Sequence, residues 1–188
     1  MNATPASTTL PPRRTTGERL AQAVIETPLG PLTALATDAG LLGLWFDRQL
    51  HGPGALEAPV DPRQHVIAQT REELAEYFAG RRRRFDVALT PQGTPFQEAV
   101  WRRLVEIDCG ATTSYGRIAH AIGKPSASRA VGAAVGRNPI SIMVPCHRVI
   151  GENGTLTGYA GGLPRKEALL TLEGADWRGV THAQGHLL

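Results

Sequence analysis

Cysteine is scarce in this chain, and its two copies form no metal-binding pattern. Among 188 residues only Cys109 and Cys146 carry a thiol, and they make neither a CxxC pair nor a metal-ligand spacing. The sequence leaves a disulfide open, although the cytoplasmic setting expected below argues against one. Cys109 has no adjacent base, so we interpret it as a structural residue.

Long apolar runs are also missing. No stretch of 18 or more apolar residues exists, so no membrane span is expected. The N-terminus has no apolar core and no cleavage signature, which argues against secretion and favours a cytoplasmic protein. The formal net charge of +3 permits a polyanionic partner without requiring one.

The length suits one or two small domains, and composition suggests where they lie. Residues 1–17 are rich in Thr, Pro, Ala and Arg and are typical of a flexible tail. We predict a small α/β domain over 18–92 and a C-terminal domain over 93–178. The last residues, 179–188, are predicted to form a second flexible tail.

Local signals in the first domain predict a small sheet and one helix. Turn signals separate three predicted strands, over 21–27, 32–37 and 41–46, which favours an antiparallel sheet. Apolar residues at helical spacing predict a helix over 64–78. Residues 85–89 are interpreted as a last strand.

Four consecutive arginines, at 81–84, follow the predicted helix of the first domain. They are typical of a solvated loop, but they would also serve as a patch that faces phosphates. The sequence leaves both interpretations open.

The second domain begins with a clear helix signal. Residues 94–97, TPFQ, fit a capping box with proline at the first helical position. Two short predicted helices, over 114–121 and 126–135, are joined by a glycine-containing turn and fit a helix-turn-helix. Many helical hairpins share that pattern. A final helix is predicted over 164–173.

The most informative segment is Pro145-Cys146-His147-Arg148-Val149, which follows an apolar run, 140–144, interpreted as a buried strand. It sets a thiol beside a potential base. Cysteine attacks as the thiolate, and a nearby imidazole lowers the thiol pKa. Because neighbours on a strand point opposite ways, we expect a water between the two side chains. A third group should orient the imidazole.

Four other segments surround this motif at characteristic spacings. They are RAVG at 129–132, RNP at 137–139, GYAGG at 158–162 and LEG at 172–174. With them, residues 94–174 closely resemble the O6-alkylguanine-DNA alkyltransferases, which repair alkylated DNA directly. Residues 20–93 resemble that family mostly in layout. The resemblance implies an α+β fold, in which a ribonuclease H-like domain (three-stranded antiparallel sheet plus helix) precedes a mostly helical, winged helix-turn-helix-like domain.

The resemblance also implies a reaction. The alkyl group of O6-alkylguanine, and of O4-alkylthymine, in double-stranded DNA would pass to Cys146. A thioether has no carbonyl for water to attack, so each protein would act once. Glu173 matches the glutamate of a Cys–water–His–Glu relay, in which its carboxylate would fix the tautomer of His147.

A stacked base must leave the duplex before a protein can react with it. Arg129 matches the arginine that enters the stack in this family, although its residue type alone equally fits a phosphate contact or a surface charge. Ser126, Ala130 and Gly132 belong to the helix that the family places in the minor groove. Small residues there would permit a close approach to DNA, tight helix packing, or both.

Two further residues match family positions around the flipped base. Tyr115 matches the tyrosine that pushes the target phosphate and donates to guanine N3. Its residue type alone also suits a small core. Asn138 matches a hinge between the recognition helix and the reactive segment, and an Asn-Pro pair also has a plain turn interpretation.

The resemblance assigns a substrate pocket as well. Val149, like the reactive cysteine, would offer a backbone carbonyl to the exocyclic amine. Tyr159 and Ala160 lie on the loop expected to close the pocket, with the Ala160 amide facing O6, and Gly161 would keep the wall open. Lys166 matches a loop-stabilising or electrostatic position, and a solvated helix lysine is the alternative.

We predict neither a cofactor nor a metal. Some relatives bind zinc in the first domain through cysteine and histidine, but here that region has no cysteine and only isolated His51 and His65. The expected partner is double-stranded DNA that carries O6-alkylguanine, with no membrane and no obligate protein partner. The sequence leaves cooperative binding along DNA open.

Four other functions compete with this one. A binding-only alkyltransferase-like protein lacks the reactive cysteine, which Cys146 supplies here. A cysteine hydrolase would use the Cys–His–Glu set but would have no role for the RAVG and GYAGG segments. A helix-turn-helix regulator would bind a specific sequence in the major groove. A zinc deaminase is dropped because no second cysteine follows Cys146 at the required spacing.

Overall fold

The computed structural model describes residues 19–177. The predicted tails, 1–17 and 179–188, lie outside them. The described chain is an α+β structure, in which a three-stranded sheet and one helix precede a mostly helical half, and this confirms the predicted fold class. None of its helices is long and apolar enough to cross a membrane.

The sheet contains β1 (Ala21–Ile25), β2 (Leu32–Thr37) and β3 (Gly40–Phe46), antiparallel and in chain order. Every residue of β3 is buried because both faces of the sheet are covered. One face packs on the main core, and the other on a small cluster that includes Leu42 and Trp45. The strand positions agree with the turn signals in the sequence.

Helix α1 (His65–Phe78) packs on the sheet and begins where its cap dictates. The Gln64 side chain accepts a hydrogen bond from the Ile67 amide at 3.0 Å, which satisfies one of the free N–H groups of the first turn. After the helix, Gly80 adopts a φ of 72°, in the left-handed region that glycine enters without strain.

The predicted strand over 85–89 is wrong. These residues meet β3 at one bridge, Leu41 with Leu89. The amides of Asp86 and Val87 are instead bound by the carboxylate of Glu73, at 2.8 and 3.4 Å. Backbone groups that serve a buried side chain are not available to a strand ladder.

The second half begins with the predicted capping box, in which Thr94 and Gln97 exchange hydrogen bonds. Its second and third helices pack together as a helix-turn-helix pair, and the first packs on both. The helix over 126–135 begins two residues later than predicted. The helices are α2 (Pro95–Val105), α3 (Tyr115–Ala121), α4 (Ser128–Gly136) and α5 (Leu163–Leu172).

The predicted strand over 140–144 is also wrong. Ile140 makes a single parallel bridge to Leu44 of β3, and the chain then turns twice. The Met143 amide donates to the Ser141 carbonyl at 2.8 Å around Ile142, whose φ is 70°. This is a three-residue γ-turn.

The second turn places the reactive segment on a short helix. Pro145 has φ −81° and ψ 63°, and the Cys146 amide donates to the Val144 carbonyl at 2.8 Å. Cys146–Arg148 then forms one 3₁₀ turn. It leads into β5 (Val149–Ile150), which pairs with β4 (Thr113–Ser114). Cysteine and histidine therefore follow each other on a helical turn and not on a strand, which removes the strand argument for their separation.

Candidate active site

The Cys146 thiol is buried, with 5% of the residue exposed, and one side chain holds it. Asn138 Nδ2 donates to its Sγ at 3.1 Å. The same amide donates to the carbonyls of Val144 at 2.7 Å and Ile140 at 3.1 Å, and its Oδ1 accepts from the Ile140 amide at 3.0 Å. The predicted hinge residue therefore contacts the thiol directly.

Burial raises the pKa of Cys146, and the Asn138 hydrogen bond and the charge of Lys166 oppose that shift. At neutral pH the resting thiol is protonated, so it needs a base to become a nucleophile. Both cysteines are free, which closes the disulfide alternative.

The carboxylate of Glu173 is the centre of a buried polar cluster. It accepts from Tyr77 Oη at 2.7 Å, from His147 Nε2 at 2.8 Å and from Arg148 Nε and Nη2 at 2.8 Å each. The Gly110 amide adds a bond at 3.3 Å. Burial by itself would raise the pKa of Glu173, but the hydrogen bonds and charges of His147 and Arg148 outweigh it and hold the pKa well below its usual range.

This cluster fixes the tautomer of His147. An ionised carboxylate only accepts hydrogen bonds, so Nε2 carries the ring hydrogen and Nδ1 keeps its lone pair. Nδ1 is buried and has no hydrogen-bond partner within residues 19–177. Burial lowers the pKa of His147, and Glu173 opposes that shift. The ring is therefore a neutral, oriented base.

Lys166 is fully buried, at 0% exposure, so the interpretation of a solvated helix lysine is wrong. Its Nζ donates to the Val149 carbonyl and, at 2.9 Å, to the Thr157 carbonyl. Burial lowers its pKa to about 8, and the nearby Cys146 opposes the shift. A cation at this position stabilises a thiolate more than a thiol.

Tyr115 joins the helix-turn-helix pair to the loop that precedes α5. Its Oη lies 2.9 Å from Thr157 Oγ1. A Cβ built on Gly132 of α4 would lie 3.7 Å from the Tyr115 ring, which is an ordinary van der Waals distance, so α4 packs against Tyr115 in a way that does not require glycine.

Tyr159, on the loop before α5, lies near the Cys146 thiol. Its hydroxyl is buried near the Ser141 hydroxyl. Burial and the nearby Cys146 raise the pKa of Tyr159 well above its usual value, and Ser141 opposes that shift. A Cβ on Gly161 would lie 2.7 Å from the Tyr159 ring and 3.1 Å from that of Phe46. Only glycine fits there without a shift.

Three of the predicted DNA-facing residues lie apart from the buried Glu173 cluster. Ser126, Arg129 and Ala130 are exposed at the start of α4. Other basic side chains of the same helix pair, at Lys124 and Arg137, are exposed as well. The surface of this motif is therefore positively charged and separate from the buried cluster.

Three arginines of the run after α1, at 81, 83 and 84, are exposed, and the solvated loop and the phosphate-facing patch both remain predictions. Arg82 pairs with Glu76 at 2.7 Å and with Asp86 at 2.8 Å, and Arg84 pairs with Asp108 at 2.6 Å. The Arg82 pairs connect the loop to the N-terminal half of the chain, and the Arg84 pair connects it to the C-terminal half.

Sequence reasoning missed three contributors to the site. Arg148 belongs to the central motif, and its residue type fits a bidentate carboxylate partner. Tyr77 counted only as part of an apolar stripe, and Thr157 gave no signal at all.

No group of three or more potential ligands lies close enough to hold a metal ion in the part of the chain that the structure describes.

A helix-turn-helix half that carries a buried, oriented cysteine–histidine–glutamate set defines a DNA-binding fold fused to a nucleophilic centre. Family models described as the 6-O-methylguanine DNA methyltransferase DNA binding domain and ribonuclease-like domain match residues 95–175 and 20–91. A methylated-DNA–protein-cysteine methyltransferase of Methanosarcina acetivorans is 48% identical over 155 residues, which are 81% of this chain and 97% of that protein. The chain belongs to the methylated-DNA–protein-cysteine methyltransferase family.

Further relatives agree with this assignment. The Mycobacterium tuberculosis methylated-DNA–protein-cysteine methyltransferase is 48% identical over 149 residues, or 79% of this chain and 89% of that one. The crystal structure of Mycobacterium tuberculosis OGT in complex with DNA has a TM-score of 0.77 at 46% identity, and covers 82% of this chain and 92% of its own. The predicted family is confirmed, and the hydrolase and regulator alternatives are set aside.

Proposed function

We propose that this protein repairs DNA by moving the alkyl group from O6 of guanine, and from O4 of thymine, irreversibly to Sγ of Cys146. The observation that carries the proposal is the set of three buried groups: a protonated thiol, a neutral imidazole with a free Nδ1, and an ionised Glu173 behind it. Family membership supports cysteine as the acceptor.

The thiol proton passes through a water to Nδ1 of His147, and Glu173 stabilises the imidazolium that forms. Sγ forms a bond to the alkyl carbon as the carbon–O6 bond breaks, and the guanine leaves with that electron pair. Asn138 and Lys166 favour the thiolate electrostatically. The thioether cannot be hydrolysed, so the protein is consumed.

We assign DNA recognition to the helix-turn-helix pair, α3 and α4. We assign Arg129 to the space that the flipped base vacates, with Ser126, Ala130 and Gly132 on the helix that lies in the minor groove. Tyr115 pushes the target phosphate and donates to guanine N3. The exposed, basic surface of the helix pair supports this assignment.

The pocket for the flipped base is assigned to the carbonyls of Cys146 and Val149, the amide of Ala160, and the wall formed by Tyr159 and Gly161. The Val149 carbonyl already accepts from Lys166, and its second lone pair is available to a base amine. We assign recognition and chemistry to 93–178, with 18–92 as the supporting domain.

The first prediction concerns the acceptor. Incubation with duplex DNA that carries one O6-methylguanine should add one methyl group per protein, and peptide mapping should place it on Cys146. Cys146→Ala should bind the DNA but gain no mass, and Cys109→Ala should react like the parent protein. Intact mass spectrometry measures all three. An unchanged mass in the parent protein, with tight lesion binding, would indicate a damage sensor.

The second prediction concerns base flipping. Arg129→Ala should slow transfer from duplex DNA by about tenfold or more, because extruding a base costs a few kcal/mol. Transfer from free O6-methylguanine should stay within about twofold. Single-turnover rates on both substrates measure this, with Lys124→Ala, another exposed cation of the helix pair, as the control. Equal losses on both substrates would contradict the role of Arg129.

A further inference from the structure

The turn that follows β3, residues 46–50, contacts both loops of the proposed active site; we call it the β3 turn. The Gln49 side chain is buried, and its Oε1 accepts from Ser141 Oγ at 2.7 Å. The next amide, that of Leu50, donates to the Ala160 carbonyl at 2.9 Å. One short turn of the N-terminal half thus holds the segment before the thiol and the loop that closes the pocket.

The hydrogen bond between Ser141 and Gln49 lies next to a strained backbone conformation at Ile142. Ile142 follows Ser141 with a φ of 70°, a region that β-branched residues rarely enter. Such strain persists only where the surroundings hold the backbone in place. Ser141 is held at its amide by the Leu44 carbonyl at 2.8 Å and at its hydroxyl by Gln49. The thiol of Cys146 lies five residues along the chain, at the end of the second turn that this segment makes.

The contact with the pocket loop is reinforced by α5. The Arg165 guanidinium lies over the Phe46 ring, 4.5 Å from its centroid, and donates to the Gly161 carbonyl at 3.0 Å. The space beside Gly161 is closed by the Phe46 ring. The pocket loop therefore rests against the β3 turn through its backbone and a stacked cation.

We propose that Gln49 is a positioning residue for alkyl transfer. This inference rests on the function proposed above. It fixes the thiol segment relative to the pocket loop, although it lies in the N-terminal half and does not take part in the chemistry. In-line displacement requires sulfur, carbon and leaving oxygen to be aligned, and a misplacement of about 1 Å costs on the order of 100-fold in rate. Without the Gln49 acceptor, the Ser141 hydroxyl and the Phe46 amide, 3.2 Å from Oε1, lose their bond.

The test compares variants in single-turnover transfer. Gln49→Met keeps the volume but removes the acceptor, and it should slow transfer from duplex DNA and from free O6-methylguanine by about tenfold or more. The Kd for lesion DNA should not change. Gln49→Glu restores an acceptor and should recover much of the rate. The matched control is Gln22→Met, which removes two hydrogen bonds to Leu56 and Ala58 in the same domain.

Amide hydrogen exchange of the DNA-free variants tests, independently of the reaction, whether Gln49 holds the thiol segment and the pocket loop in place. Gln49→Met should speed exchange in both 141–146 and 158–161, and Gln22→Met should not. A parent protein that gains no methyl group would overturn the proposed function. The exchange rates would still show whether Gln49 holds the two segments in place. Unchanged exchange in Gln49→Met, a parental transfer rate in that variant, or an equal rate loss in Gln22→Met at matched stability would overturn the role of Gln49.

Discussion

Glu173→Gln is expected to slow alkyl transfer to Cys146 by about 10²–10⁴-fold, the range that a general base contributes. The substituted side chain keeps the size of the glutamate, but it loses the charge and has an N–H₂ donor in place of one acceptor oxygen. Transfer should fall with duplex and free-base substrates alike, because the defect lies in activating the thiol and not in binding DNA.

The geometry of the cluster explains the size of this effect. Both oxygens of Glu173 face donors, and the amide N–H₂ of glutamine must replace one of them. At the Oε2 position it would face the Arg148 Nε–H and the Gly110 N–H, which cannot accept. At the Oε1 position, Tyr77 and His147 can turn into acceptors, whereas Arg148 Nη2–H there cannot, against two such donors at Oε2. The amide is therefore expected at Oε1, which moves the histidine hydrogen to Nδ1 and removes the base.

Single-turnover rates, circular dichroism and a thermal melt together test this prediction. Glu152→Gln, on an exposed loop residue, is the matched control and should keep the parental rate. A near-parental rate for Glu173→Gln in a folded protein would show that Nδ1 of His147 does not accept the thiol proton.

Arg148→Met is expected to lower the free energy of unfolding by about 3–5 kcal/mol, because it leaves a buried carboxylate without its main cation. Methionine fills the space of the aliphatic stem. It leaves Glu173 without two hydrogen bonds of 2.8 Å and the Ile107 carbonyl without its bond from Arg148. The remaining donors to the carboxylate, Tyr77 among them, are neutral and cannot compensate for the charge.

Arg84→Met provides the contrast. Arg84 pairs with Asp108 at 2.6 Å, but both side chains are largely exposed, so its loss should cost less than about 1 kcal/mol. Urea unfolding measures both variants, with the midpoint compared at constant slope. Losses of similar size in the free energy of unfolding would mean that burial does not determine how much the Glu173 cluster contributes to stability.

Sequence reasoning succeeded where local signals decide the structure. Thr94 and Gln97 carry their capping box within four residues, and the turns between the first three strands are equally local. It failed at 85–89 and at 140–144, two apolar segments that resemble strands. The first gives two amides to Glu73, and the second meets β3 at one bridge. Neither partner can be read from the segment itself.

The sequence by itself determined which residues carry the proposed chemistry, since Cys146 and His147 are adjacent and their motif is specific to the family. Only the tertiary structure decided how they are arranged. Tyr77 meets Glu173 across 96 residues and Gln49 meets Ser141 across 92, and Lys166 is buried. Periodicity and capping report on neighbours a few residues apart. Contacts at these separations depend on how the two halves pack, which local patterns do not encode.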